Sequence, residues 1–150
     1  MLRKKVRQVN DSHRKPLYNV TEMRLYSADN EKIEVEFKPM DIPEDKAVDW
    51  DDFNRYDSIM IFQTDYERLL SPLIDSLYPL TAPDTGEIEN ALDYCFENFI
   101  GSEDRKKLLM LIDEKARTCD GDDREFYGEL LAFLKEAEKK SPYLCIEGNL

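Results

Sequence analysis

A chain of 150 residues has the length of one domain and buries enough surface to fold without a disulfide or metal staple. A hydrophobic content of 41% excludes a disordered chain, and a formal charge of −12 argues against a phosphate-binding surface. Three widely spaced cysteines (Cys95, Cys119 and Cys145) exclude a disulfide framework and point to a reducing, cytoplasmic setting.

No apolar signal-peptide region stands in residues 1–15, and the longest apolar runs, Ile59–Phe62 and Leu108–Ile112, are too short to span a membrane. Residues 1–15 carry six basic side chains (Arg3, Lys4, Lys5, Arg7, Arg14 and Lys15) against Asp11 alone. This net of +5 leaves −17 on residues 16–150. The expected organisation is a basic, flexible leader over 1–15 followed by a single α+β domain over 16–150.

In chain order, Leu17–Ser27 and Lys32–Lys38 read as strands. Ile33, Val35 and Phe37 alternate with Glu34, Glu36 and Lys38, the period of a half-buried strand. The turn-forming residues Ala28–Glu31 between them predict a hairpin. Residues 41–57 form an acidic connector, and Ile59–Phe62 reads as a short buried strand.

Four helices are predicted after that. Thr64 with Glu67 opens the first as a capping box, its apolar face running from Tyr66 to Leu77, with Pro72 kinking or restarting it. Asp84 with Glu87 opens the second, which places Ile88, Leu92, Cys95, Phe96, Phe99 and Ile100 in helical register and ends at Gly101. Ser102 caps the third, to about Ala116. Asp122 with Glu125 opens the fourth, through about Lys140, burying Phe126, Leu130 and Leu134. Tyr143–Ile146 returns as a last strand. The fold class expected is α+β: a small antiparallel sheet, made of the N-terminal hairpin and one or two further strands, packed against a four-helix C-terminal portion.

Catalytic signatures are missing from this pattern. The one histidine, His13, falls in the leader, so a Ser-His-Asp or Cys-His mechanism has no base in the body of the chain. No two of the cysteines and His13 have zinc-ligand spacing. Cys95 is expected to be a buried, inert thiol, and Asp120 disfavours the Cys119 thiolate. The five glycines are isolated, so no phosphate-cradling loop is predicted. Asp49, Asp51 and Asp52, like Asp120, Asp122 and Asp123, are close in sequence but do not fit a twelve-residue calcium loop. No cofactor and no metal are expected.

The connector is the segment with the composition of a recognition surface. Trp50, Phe53 and Tyr56 supply aromatic anchors among Asp45, Asp49, Asp51 and Asp52, which would steer a cationic partner. The competing expectation tucks the three aromatics into the core and leaves the acids in water. The function expected is a non-enzymatic acidic binding protein that covers a basic surface of a protein partner, in an inhibitor, immunity-type or nucleic-acid-mimic role. It would contact neither nucleic acid nor membrane. The alternative is a metal-dependent or carboxylate-based hydrolase with its site in 41–57.

Overall fold

The computed structural model describes residues 1–9, 18–42 and 56–149. Strands β1 (Arg3–Val9), β2 (Tyr18–Arg24), β3 (Glu34–Pro39) and β4 (Ser58–Phe62) come first. A continuous helical segment, α1, follows as Gln63–Asp65, a π turn at Tyr66–Leu70, and Ser71–Asp75. The short strands β5 (Leu80–Thr81) and β6 (Ile88–Glu89) then precede β7 (Glu97–Ile100). Helices α2 (Ser102–Thr118) and α3 (Gly121–Glu138) lead into β8 (Leu144–Gly148). No described helix is long and apolar enough to cross a membrane.

The sheet has six strands in the order β1-β2-β4-β3-β8-β7, with β2 and β4 parallel and every other pair antiparallel. This corrects the expectation of a small antiparallel sheet against four helices: the sheet is larger and mixed, and the described residues hold three helices. The predicted hairpin is also absent, because β4 lies between β2 and β3. The burial pattern explains the insertion. In β4 only Met60 is partly exposed, so this strand needs cover on both faces and takes a central place. Its neighbour β3 alternates buried and half-buried residues.

Residues 84–100 do not form the predicted second helix. Gly86 is left-handed, with φ of 75°, and closes the turn between β5 and β6, where a right-handed helix cannot start. Further on, the Asp93 carboxylate accepts the Cys95 N–H at 2.9 Å, and the Asn98 amide donates to the carbonyls of Asp93, Phe96 and Ile146. Such local side-chain bonds compete with a helix for the backbone. Ile88 and Phe96, placed on a buried helix face by periodicity, are 70% and 67% exposed. Cys95 is exposed too, against the expectation of a buried thiol.

The third and fourth predicted helices are α2 and α3, with Leu108, Ile112, Phe126, Leu130 and Leu134 buried as their spacing required. The N-cap of α2 is Gly101, without a side-chain cap bond, and Ser102 is the first helical residue. Met23, Val35, Phe37, Ile59, Ile61 and Ile146 share one sheet face and form a core with these helices and α1. Each such fully buried side chain contributes about 1.5–3 kcal/mol. Buried Arg105 ties α2 to the end of α3, donating to the Ser141 carbonyl at 2.7 Å.

Two contacts fix α1 against the strands. Glu31, and not Glu67, caps it, accepting the Thr64 N–H at 2.9 Å and the Ala28 N–H at 2.8 Å. Burial opposes the charge on Glu31, but these bonds outweigh it and hold the carboxyl below its usual range. The fully buried Asp65 accepts the N–H groups of Leu25, Tyr26 and Ser27 at 2.8, 2.7 and 3.2 Å. The Asp65 N–H in turn donates to Ser27 Oγ at 3.0 Å. Truncation by Asp65→Ala would strand two buried donors and a part-buried one. Urea unfolding should show a loss of about 3 kcal/mol. At the end of β8, a Cβ on Gly148 would lie 2.3 Å from the Tyr94 carbonyl oxygen. Gly148→Ala should therefore lower stability by about 1–3 kcal/mol in the same assay.

Candidate functional site

With the helices on one face, alternation sends the intervening residues of each strand to the other. The pairing register sets six of them in a single row crossing all six strands: Lys5, Glu22, Met60, Glu36, Glu147 and Glu97. Four of the six are glutamates, and three of these stand on the adjacent strands β3, β8 and β7. Like charges directly opposite one another destabilise a sheet. Some compensation is built in. The Lys38 ammonium lies 3.3 Å from Glu36 and 3.1 Å from Glu147, and Arg7 lies 3.9 Å from Glu22. Burial on its own would lower Lys38, but the carboxylates of Glu36 and Glu147 outweigh it and hold the ammonium above its usual range.

Beside the row, Glu34 starts β3. Burial pushes its carboxyl up, and the charges of Glu36 and Glu147 add to this against a hydrogen bond from Asn149. Where β8 and β7 meet, Met40, Phe99 and Cys145 form a small apolar cluster with Ile42 against it. Burial pushes the Cys145 thiol well above its ordinary value, which keeps it protonated and unreactive.

Half of the expected flexible leader is β1, paired with β2 residue by residue. Its cations meet acids of the same chain: Arg3 contacts Asp29 at 3.1 Å and Lys4 contacts Glu129 at 2.8 Å. His13 lies outside the described residues.

Of the residues predicted to bind a partner, Asp45, Asp49, Trp50, Asp51, Asp52 and Phe53 also lie outside the described residues. Tyr56 is described. Its hydroxyl donates to Asp41 Oδ2 at 2.6 Å, and Ser141 Oγ donates to Asp41 Oδ1 at 2.7 Å. The two ends of the connector are thus held together over the start of β8. Donation to Asp41, with help from burial, pushes the Tyr56 phenol up to about 12. Among the described residues, no group of three or more His, Cys, Asp or Glu side chains is placed to hold a metal ion.

Glu22, Glu97 and Glu147 went unnoticed in the sequence because they share a row only through strand pairing. The alternating Glu34 and Glu36 of the Lys32–Lys38 strand were the visible part of the pattern. Compared with known proteins, the chain matches no family model, no curated protein and no solved structure.

The Lys38 clamp predicts a pH dependence. Its folded-state value lies above the unfolded one, so while Glu36 and Glu147 are ionised charged Lys38 adds stability up to about pH 10.4, and that contribution is lost as pH rises further. From about pH 9 to about pH 11.5 the melting temperature should fall more steeply for the unaltered chain than for Lys38→Met. Equal slopes would show that the clamp contributes nothing.

Proposed function

We propose that the protein is a non-enzymatic acidic binding protein that covers a basic surface of a protein partner, with the sheet face opposite the helices as its docking surface. The row of Glu22, Glu36, Glu147 and Glu97 carries this reading. A sheet holds side chains at fixed spacings, so carboxylates there lose little freedom when a partner arrives. Strand pairing forces them together, and an incoming cationic surface relieves their repulsion. The −17 carried by residues 16–150 adds long-range steering toward such a surface. The role expected is that of an inhibitor, of the immunity or nucleic-acid-mimic kind, whose carboxylates stand where phosphates would. A reducing cytoplasm suits the exposed Cys95 thiol.

Neutralising the row tests this. Glu22→Gln, Glu97→Gln and Glu147→Gln together should slow association with a basic polypeptide about tenfold at low salt and flatten its salt dependence. Urea melts confirm that the variant is folded. Unchanged association by the folded variant would remove the sheet face as the docking surface.

A further inference from the structure

At the end of the sheet where β3 begins and β4 and β8 finish, a cavity of about 250 Å³ opens beside the acidic row. Its polar lining comes from Glu34, Gln63, Tyr66, Glu67, Ser71 and Tyr94. The wall is rich in acceptors. Glu67 receives one hydrogen bond, from the Gln63 amide at 2.9 Å, which leaves its second oxygen and the Gln63 carbonyl open. Glu34 receives its side-chain bond from Asn149, and Ser71 Oγ donates to Asp75 at 3.2 Å, leaving its lone pairs to accept. Neither Glu34 nor Glu67 makes an ion pair among the described residues, and no Lys, Arg or His is among the described residues of the lining.

Behind this wall Tyr66 is 2% exposed, and burial together with the neighbouring Tyr94 hydroxyl holds its phenol above the usual range. Tyr94 stands edge-on to it, with ring centroids 5.9 Å apart and planes at 85°.

Resting on the proposed function, we infer that this cavity receives a guanidinium group, presented by an arginine of the basic partner. Guanidinium has five N–H donors in a planar fork and accepts nothing, which complements the acceptors of Glu34, Glu67 and Gln63, while Ile33 and Val35 supply apolar wall beside them. It also packs well on aromatic rings such as those of Tyr66 and Tyr94. An anion would face two carboxylates, and an apolar ligand would leave the acceptors unpaired. Burial chiefly raises the Glu34 carboxyl at the cavity mouth, and the field of Glu36 and Glu147 adds to it against Asn149 and Arg7.

Three probes test the inference by amide chemical-shift titration: methylguanidinium, a pentapeptide of four lysines around a central arginine, and its all-lysine counterpart. The arginine peptide should bind about tenfold more tightly than the all-lysine peptide and shift Gln63, Glu67, Ser71 and Tyr94. Glu67→Gln should weaken the arginine peptide about tenfold. If methylguanidinium binds as tightly as the arginine peptide, the partner protein is overturned as the source. If both peptides bind alike, with shifts confined to the row from Glu22 to Glu97, the cavity assignment fails and the sheet-face reading stands. If neither peptide binds, both fail.

Discussion

Asp65 is fully buried, and its carboxylate accepts three consecutive backbone N–H groups just after β2. Desolvating a carboxylate is expensive, and only a set of converging donors makes it tolerable. That requirement fixes the turn after β2 against the first turn of α1. Since α1 follows β4 without a break, β4 is held beside β2, and β3 must pair on its far side. Glu31 reinforces the same junction from the turn before β3, binding both Ala28 and Thr64. The strand order of the sheet's centre therefore depends on two carboxylates, each given to backbone donors.

The remaining acids are distributed differently. Those at the β1 edge are paired with Arg3, Lys4 and Arg7, so charge there is spent on holding the edge strand. Toward β3, β8 and β7, among the described residues, Lys38 bridges Glu36 and Glu147. Exposed surface pairs contribute little to stability, so what the acidic side provides is potential. At the cavity beside Glu34 that potential meets a concave wall that carries acceptors.

Much of the fold was legible in the sequence. The 3.6-residue spacing of α2 and α3, the alternation in β3 and the apolar run of β4 are local patterns, and each survived folding. The same periodicity failed over 84–100, where Asp93 and Asn98 turn their side chains onto the backbone and Gly86 takes a left-handed conformation. The candidate site was legible only in fragments, as glutamates alternating along β3.

By itself the sequence determined the net charge and its uneven spread, the scarcity of histidine, and those elements whose hydrophobic period is set by their own residues. Only the tertiary structure decided that β4 divides β2 from β3, that half of the basic leader is an edge strand, and that four glutamates stand abreast. Glu36 and Glu147 are neighbours because β8 returns to pair with β3 after three intervening helices. No local propensity records that pairing. Register between distant strands is set by which faces must be buried together, and burial is a property of the whole fold.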